Sequence, residues 1–543
     1  MRDGEGLEGC GDTESFSRRQ ALRTTLGVAV GMILPTAHDL NAGRTRAESP
    51  DSRSFDAVKA KARALAASPY QAQPDDLPAP LAGLSYDGYR AITFRPEASL
   101  PLGRRFSAQL FHRGFLQRKR VALYRQPRNG PAQPIPYASD LFDLGPALGG
   151  QSFAPDLGFA GFRLHYAFGA DRPGDQEEVL VFLGASYFRL RGFGQEYGLS
   201  ARGAAIRTGG PGTEEFPDFT AFWICEPEAD ARTLEIWALL DSPSLAGAYR
   251  FRVAPGDPSV MDVEVSLHPR TALEHLGLAP LTSMFLHGAN GPGARGAEPF
   301  DDFRPQVHDS DGLAVVTRGE RLWRPLVNGR AQPQISAFGA DPLEGFGMLQ
   351  RTRDFPAYLD VQARHEARPG LWVTPGSGFG AGAVRLFEIP SREEYMDNIV
   401  AAFVPGAPVP AGTERAVSYR LTTVGAEPAS VVPGTLGRVV STRVGSAERL
   451  RPTTPPSPGR RLYVVDFEGP GLPADRGATP TADVSASAGT MVDPVVEFVP
   501  QTGGWRLYVE WRPPTPLPPG DAILRARLVQ DGRAVTETWD MPA

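Results

Sequence analysis

Glycine and proline are spread along the whole chain, and they restrict what it can fold into. The sequence holds 60 glycines and 53 prolines among 543 residues. Both residues interrupt long helices and favour tight turns. Between them lie short runs in which apolar and polar residues alternate, such as residues 233–239 and 260–265. The long helical patterns that parallel strands would need between them are absent from the sequence. We therefore predict an all-β fold built from antiparallel sandwiches.

One helix is predicted near the start of the folded region. Phe55, Val58, Ala62 and Leu65 recur at helical spacing. Ser54 precedes them, in a position to cap the first turn. This helix is expected to be the longest in the chain.

The first 48 residues have the pattern of an export signal. Arg18 and Arg19 precede the apolar run 26–34, which is too short to span a membrane and is followed by small and polar residues. Paired arginines before a modest apolar run are typical of a twin-arginine signal, which directs folded proteins to the periplasm. The alternative is a cytosolic basic patch beside a buried helix. We expect a periplasmic protein without stable membrane insertion.

Net charge argues against nucleic acid as a partner, and the cysteine count argues against an internal disulfide. The net charge of −6 gives the chain no electrostatic reason to bind nucleic acid. Of the two cysteines, Cys10 belongs to the predicted leader, which leaves Cys225 without an internal partner. The mature chain is thus expected to rely on burial of apolar side chains for its stability.

Composition divides the rest of the chain into two predicted domains. Residues 49–424 contain most of the strand-like runs and are predicted to form a large β-sandwich. Residues 425–437 are rich in Gly, Pro and small residues, which is typical of a linker. Residues 438–543 carry strand-like runs at regular spacing and an Asp-Gly turn pair at Asp531. This last region is predicted to be a smaller immunoglobulin-like sandwich.

Several familiar catalytic motifs are missing from the sequence. It has no zinc-type cluster of Cys and His, no P-loop and no G-x-S-x-G motif, so neither a metal nor another cofactor is predicted. The glycine-rich run 376–382 is followed by a strand-like run that ends at Pro390. A dinucleotide-binding loop must open a helix, so this run is interpreted as a tight turn.

With those motifs absent, carboxylates in polar loops are the remaining candidates for catalytic groups. Segments 301–313 and 393–400 are polar and acidic, and they contain Asp309 and Asp397. Such loops on a rigid scaffold are typical of functional sites, although many are only solvated turns. Interleaved aromatic and charged residues are typical of carbohydrate clefts, and also of the core and rim of a large sandwich. The candidate binding residues are Tyr187, Arg189, Tyr197, Glu215, Asp218, Trp223, His308, Asp311, Arg353, Asp354, His365, Arg368, Trp372 and Glu394.

Several motifs together resemble one known family. They lie at residues 156–163, 182–189, 197–203, 215–223, 307–311, 324–328 and 397–400. On these motifs, and from about residue 55 to the C-terminus, the chain is similar to the periplasmic glucan biosynthesis proteins G and D (OpgG/OpgD, also called MdoG/MdoD). The twin-arginine leader resembles the D branch. The resemblance implies a large N-terminal β-sandwich followed by a smaller immunoglobulin-like domain.

The resemblance also implies an activity on β-1,2-linked glucan. The D branch includes inverting endo-β-1,2-glucanases, and by motif the general acid falls on Asp397 and the general base on Asp309. An inverting hydrolase needs one carboxylic acid to protonate the leaving oxygen and one carboxylate to activate water. In this family, protons are thought to pass through substrate hydroxyls or waters.

Two departures from the family leave the exact activity open. His365 occupies a position where relatives have Tyr, and segment 442–460 lacks a Trp found in some relatives. A histidine could bond a sugar hydroxyl or tune proton transfer, or it could simply replace an aromatic ring. The alternatives to hydrolysis are an inverting transglycosylase on the same polymer, with cyclisation as one form, and a non-catalytic glucan-binding factor. A homodimer is left open as well.

Overall fold

The computed structural model describes residues 54–169, 176–210, 212–289, 300–328, 332–425, 427, 434–446, 460–516 and 522–543. The predicted leader, residues 1–48, and most of the predicted linker, residues 425–437, lie outside the described residues. None of the helices in the described ranges has the length and hydropathy that crossing a membrane requires.

Four short α-helices are present among these residues: α1 (Phe55–Ala66), α2 (Ala79–Ala82), α3 (Tyr86–Arg90) and α4 (Phe355–Tyr358). The helix predicted from sequence is α1. Its N-terminus is capped by the Ser54 hydroxyl, which accepts from the backbone N–H of Ala57, and Phe55, Val58 and Ala62 are its buried residues. Single 3₁₀ turns occur at Pro96–Ala98, Ser139–Leu141, Pro146–Leu148, Pro155–Leu157, His365–Ala367 and Arg476–Ala478.

Short β-strands make up most of the fold. In chain order they are β1 (Thr93–Phe94), β2 (Leu100–Leu102), β3 (Phe106–Phe111), β4 (Ala122–Gln126), β5 (Gln133–Pro134), β6 (Phe142–Asp143), β7 (Gly161–Ala167), β8 (Gln176–Leu183), β9 (Tyr187–Leu190), β10 (Ser200–Arg202), β11 (Ala205–Ile206), β12 (Asp218–Cys225), β13 (Leu234–Asp241), β14 (Leu245–Ala254), β15 (Val260–Pro269), β16 (Leu276–Ser283), β17 (Phe285–His287), β18 (Val307–His308), β19 (Gly312–Thr317), β20 (Glu320–Pro325), β21 (Gln334–Ala340), β22 (Leu343–Leu349), β23 (Gly370–Pro375), β24 (Gly382–Glu388), β25 (Ile399–Pro405), β26 (Arg415–Val424), β27 (Arg438–Ser446), β28 (Arg461–Glu468), β29 (Thr481–Ala486), β30 (Thr490–Val499), β31 (Gly504–Arg512), β32 (Ile523–Gln530), β33 (Arg533–Ala534) and β34 (Thr538–Pro542).

Two large sheets face each other in the N-terminal part of the chain. One has the strand order β2-β3-β7-β8-β9-β10-β16-β25-β24-β21, and the other contains the run β20-β19-β22-β23-β26-β15-β14-β13-β12-β4-β5. Aromatic rings fill the space between them. The ring of Phe162 lies 5.1 Å from that of Phe222, and the ring of Phe182 lies 5.2 Å from that of Phe251. Apolar burial between two inner faces is what holds such a sandwich together.

A second, smaller core lies in the C-terminal part. The four-stranded sheet β27-β28-β31-β30 packs there against β29, β32 and β34, with the rings of Tyr463 and Trp539 5.6 Å apart. The predicted all-β fold, with a large antiparallel sandwich and a smaller one, is confirmed.

The two sandwiches share a sheet, which the sequence did not indicate. Strand β34 pairs in parallel with β20, through Leu322 with Thr538 and Trp323 with Trp539. The C-terminal strands β29, β32 and β34 therefore extend one large sheet. The division at residues 425–437 remains a prediction.

Candidate active site

Asp309 lies between β18 and β19. Its backbone N–H donates to the carbonyl of Met284 at 2.8 Å. Its buried carboxylate accepts a hydrogen bond from the Arg368 guanidinium and lies 3.4 Å from Nδ1 of His365. Burial opposes ionisation, but the charge of Arg368 and the contact with His365 outweigh it and hold the pKa of Asp309 well below its usual value. Asp309 is therefore a carboxylate at any physiological pH.

Asp397 lies two residues before the start of β25. The next residue, Asn398, anchors it: the Asn398 amide donates to the carbonyls of Phe285 and Ile389, both at 3.0 Å, and accepts from the N–H of Phe285 at 2.9 Å. Oδ2 of Asp397 is buried and has no hydrogen-bond partner among the described residues. Burial raises the pKa of Asp397 to about 6, although Arg189 opposes the shift. This carboxyl can hold a proton under mildly acidic conditions.

Both carboxyls line one pocket. Its walls come from β9 and the loop after it, from the residue between β16 and β17, and from the residue after β18. The residues on either side of the 3₁₀ turn at His365–Ala367 and the segment before β25 complete it. The lining residues are Arg189, Glu196, Tyr197, Met284, Asp309, Ala363, Arg368, Glu394, Tyr395 and Asp397. The structure therefore brings together six residues predicted from sequence: Arg189, Tyr197, Asp309, Arg368, Glu394 and Asp397.

The segment that carries His365 and Arg368 is held in a strained turn. Leu359 and Arg364 adopt left-handed backbone, with φ of 55° and 45°. Such conformations cost roughly 1–3 kcal/mol each in residues other than glycine, and they persist where the surroundings fix them. Asp360 provides part of that constraint, because its carboxylate accepts from the N–H groups of Gln362 and Ala363 at 2.9 and 2.8 Å.

His365 is fully buried between two carboxylates. Its Nδ1 lies 3.4 Å from Asp309 and its Nε2 lies 3.9 Å from Glu394, distances too long for good hydrogen bonds. Burial, followed by the charge of Arg368, lowers the pKa of His365 below its usual value. The ring also packs against that of Tyr358, with centroids 5.6 Å apart. A neutral imidazole thus fills the space between the pocket carboxylates.

Three further predicted residues, His308, Asp311 and Arg353, do not line the pocket but bond to its neighbouring segments. His308 is buried, pairs with the Gln350 side chain at 2.8 Å and stacks on Phe285. Asp311 accepts from the N–H of Thr352 at 2.8 Å. Arg353 donates to the carbonyl of Arg368 at 3.1 Å and so helps to position that residue.

Tyr187 lies beside the pocket and does not line it. The guanidinium of Arg202 sits between its ring and that of Phe216, 5.1 and 4.9 Å from the two centroids. Arg202 is itself buried and pairs with Glu214 at 3.0 Å. This stack brings a fixed positive charge near Asp397.

The remaining predicted binding residues do not line the pocket. Glu215 accepts from the Ser244 hydroxyl at 2.7 Å, and Asp218 pairs with Lys119. The other three are Trp223, which is buried in the cluster beneath α1, Trp372, which lies in the C-terminal core, and Asp354, which is exposed at the start of α4. Aromatic and acidic patterns in sequence did not distinguish these positions from pocket residues.

Arg304 is the main site residue that the sequence analysis missed. Its side chain is buried and pairs with Asp302 at 2.6 Å, Asp360 at 3.0 Å and Glu394 at 2.7 Å. It thereby fixes Glu394 at the pocket wall. Its position within the acidic segment 301–313 was the available signal, because a buried arginine commonly organises carboxylates around it.

The carboxylates around Arg304 could in principle bind a cation. Asp360, His365 and Glu394 place one ligand atom each within 4.8 Å of one another. However, Arg304 donates to both carboxylates, and its charge repels a metal ion at this point. We assign these groups to the pairing with Arg304.

Comparison with known proteins agrees with the resemblance of the motifs. A family model described as "Periplasmic glucan biosynthesis protein, MdoG" matches residues 54–542. A "Glucans biosynthesis protein G" of Rhodopseudomonas palustris (strain BisA53) is 44% identical over 96% of this chain and 99% of its own length. Proteins of the same name from Shewanella frigidimarina (strain NCIMB 400) and Vibrio cholerae (serotype O1, strain ATCC 39541) are also 44% identical, over 93% and 89% of this chain and 88% and 85% of theirs.

The preference for the D branch is not supported by these relatives. The prediction depended on the leader alone, whereas all three relatives carry the name of protein G and are similar over most of their length. The chain therefore belongs to the MdoG family of periplasmic glucan biosynthesis proteins, with the G branch indicated.

Proposed function

We propose that the protein acts on β-1,2-glucan in the periplasm as an inverting endo-β-1,2-glucanase, with Asp397 as general acid and Asp309 as general base. The observation that supports this most is the opposite tuning of two carboxyls in one pocket. The pKa of Asp397 is raised to about 6, whereas that of Asp309 is held low. Two carboxyls whose environments push their pKa values apart are suited to acid and base roles.

The proposed reaction breaks the bond between the anomeric carbon and the glycosidic oxygen. Asp397 gives its proton to that oxygen, while a water oxygen bonds to the anomeric carbon from the opposite face. The proton of the water passes to Asp309, directly or through a substrate hydroxyl. Arg189, Tyr197 and Glu394 would bind sugar hydroxyls around the reacting bond.

A glucan-binding factor without catalysis is the second candidate, and one observation favours it. Arg368 donates to the Asp309 carboxylate and lowers its pKa, which also lowers its basicity. A general base works best when its pKa lies near the working pH. A carboxylate neutralised in this way is better suited to binding hydroxyl groups, unless the substrate displaces the arginine.

Product analysis separates these functions. The mature protein, Asp397→Asn and Asp309→Asn would be incubated with linear β-1,2-glucan, with Asp218→Asn as a matched carboxylate outside the pocket. We expect shorter linear glucans, with one water added for each bond broken and with the inverted anomer at each new reducing end. Only wild type and Asp218→Asn should form them. Cyclic products without reducing ends, one water lighter than the linear glucan of the same length and formed with release of the remaining reducing-end fragment, would identify a cyclising transglycosylase instead. Binding with no product from any variant would leave the glucan-binding factor.

Export by the twin-arginine pathway is part of the proposal. It is supported by Arg18 and Arg19 ahead of the apolar run 26–34. Replacing both arginines with lysine should retain the protein in the cytoplasm, and fractionation would show this. Unchanged delivery to the periplasm would exclude this route.

A further inference from the structure

The large apolar side chains exposed at the surface are unevenly distributed. Ten such side chains occur in the described part of the chain, and five of them fall on segments that meet near the pocket. These five are Phe303, Phe355, Leu359, Val361 and Tyr395, with exposed fractions of 67, 41, 42, 73 and 51%. Single exposed apolar residues are normal, but a group of them at one place marks an interaction surface.

Arg304 holds together the three segments that carry these side chains, residues 303–304, 355–361 and 394–395. Its guanidinium donates to Oδ2 of Asp360 at 3.0 Å and to Oε2 of Glu394 at 2.7 Å. The arginine side chain is 2% exposed and that of Asp360 is 4% exposed, so this ion pair is shielded from water, whereas Glu394 is partly exposed. Together the two pairs fix the relative position of the segments.

Each partner in this network carries exposed apolar neighbours in the chain. Phe303 precedes the arginine, Leu359 and Val361 flank the aspartate, and Tyr395 follows the glutamate. The Leu359 N–H also bonds to the carbonyl of Phe355 at 2.8 Å, which brings the fifth side chain to the same turn. We call these five side chains the apolar patch.

The apolar patch is continuous with the candidate active site. Tyr395 and Glu394 line the pocket together with Asp309 and Asp397. A polymer bound at the two carboxyls must leave the pocket somewhere, and at Tyr395 it meets the patch directly.

We infer that the apolar patch binds further sugar units of the same glucan chain, outside the pocket. This inference rests on the proposed function. The C–H faces of sugar rings pack on aromatic and aliphatic side chains, while their hydroxyls need polar partners between those contacts. The carboxylates of Asp302 and Glu394, which are partly exposed around Arg304, offer such acceptors.

The charge at the patch argues for a neutral polysaccharide. Three carboxylates surround one arginine, which leaves a net negative charge at this place. That charge disfavours phosphate-bearing lipids and other anions, and it does not penalise a neutral glucan.

Binding of glucans of different length tests the inference. The variants would be made in the full-length protein carrying Asp397→Asn, so that turnover does not interfere. Affinity for long linear β-1,2-glucan and for the β-1,2-linked disaccharide would be measured by calorimetry. We expect Phe303→Ala with Val361→Ala to weaken binding of the long chain about tenfold and to leave the disaccharide unchanged.

A matched pair of exposed apolar residues serves as control. Leu116 and Val495, 55 and 48% exposed, lie outside the segments joined by Arg304, and Leu116→Ala with Val495→Ala should change neither affinity. Equal effects of the two double variants, or an unchanged affinity for the long chain, would overturn the inference. A wild-type dimer that dissociates in the patch variant, measured by light scattering, would assign the patch to a second copy instead.

The outcomes also separate the inference from the proposed function. Length-dependent binding that requires the apolar patch, without products from the wild-type protein, would support sugar binding by the patch and exclude the proposed glucanase activity. Failure to bind β-1,2-glucan of any length would overturn both.

Discussion

The pocket depends on how single side chains set the charge of two carboxyls. Asp397 keeps a buried oxygen that has no hydrogen-bond partner in the part of the chain that the structure describes, and Asp309 has a permanent countercharge in Arg368. The surroundings of the two aspartates therefore shift their pKa values in opposite directions. This difference predicts how mutation and pH will change activity and stability.

Activity should depend on protonation of Asp397. Its pKa of about 6 is above the usual value, so the acid form is lost as the pH rises through that range. We expect turnover to decrease above about pH 6 and Asp397→Asn to lower it at least about 100-fold, because the amide cannot donate a proton in the same way. A pH–rate profile of the wild-type protein measures this. A flat profile between pH 5 and 8, within about twofold, would contradict the acid role.

Removing Arg368 should destabilise the protein because it leaves Asp309 buried without a countercharge. The side chains are 13 and 10% exposed, and loss of one partner from such a pair costs about 3 kcal/mol. Arg368→Gln should lower the free energy of unfolding by this amount in urea titrations at pH 7. Arg420→Gln is the control, because Arg420 and Asp262 are 55 and 46% exposed and their pair is worth at most about 1 kcal/mol. Equal losses would show that Asp309 is well solvated.

At the level of secondary structure, neighbouring strands position the two acidic segments of the pocket. Asn398 joins the start of β25 to β17 by two hydrogen bonds to Phe285, and to the end of β24 by a third to Ile389. The 3₁₀ turn at His365–Ala367 presents Arg368 to Asp309. The segments 301–313 and 393–400 were predicted to be functional from their polar composition together with the resemblance of their motifs to a known family, and the structure brings them together at one pocket. Their meeting point could not be derived from the residues alone, because it depends on which strands pair across the sheet.

Asn398→Ala should lower both stability and turnover, because it removes three buried hydrogen bonds although it changes the side-chain volume little. The substitution leaves the Phe285 N–H and two carbonyls in a buried region without their partner, at a cost of about 1–3 kcal/mol. We expect lower stability together with lower turnover, since Asp397 is the adjacent residue. Asn328→Ala, which removes a buried amide bonded to Leu286 and Ser391, is the matched control for stability alone. Similar turnover in both variants would show that Asn398 does not position Asp397.

At the scale of the whole molecule, the sequence predicted the β class and two sandwiches but treated them as independent units. Strand-like alternation and turn residues are local signals, and they predicted the class of fold for that reason. The parallel pairing of β34 with β20 joins residues more than two hundred positions apart, so no local pattern reports it. Trp372 shows the same limit: its aromatic ring was interpreted as part of a sugar cleft, whereas it belongs to the C-terminal core.

The two sandwiches should unfold as one cooperative unit because a buried charge network crosses the shared sheet. Arg351 bonds to Glu537 at 2.6 Å and pairs with Glu427, and it stacks on Trp323 with 3.5 Å to the ring centroid. The Arg351 backbone N–H also donates to Asp311, two residues after Asp309. Loss of this junction should therefore affect both the C-terminal core and the candidate site.

A double-mutant cycle on Arg351→Gln and Glu537→Gln measures this coupling. Their side chains are 4 and 0% exposed, so we expect an interaction free energy above about 1 kcal/mol and, in Arg351→Gln, separation of the single unfolding transition into two. The pair of Arg527 and Asp483, 43 and 53% exposed within the C-terminal sandwich, should give at most about 0.5 kcal/mol in the same cycle. Hydrogen exchange adds a local measure, since the backbone of residues 307–313 should become less protected in Arg351→Gln. A single transition with unchanged exchange there would mean that the shared sheet alone couples the two sandwiches, and that the buried charges are dispensable for it.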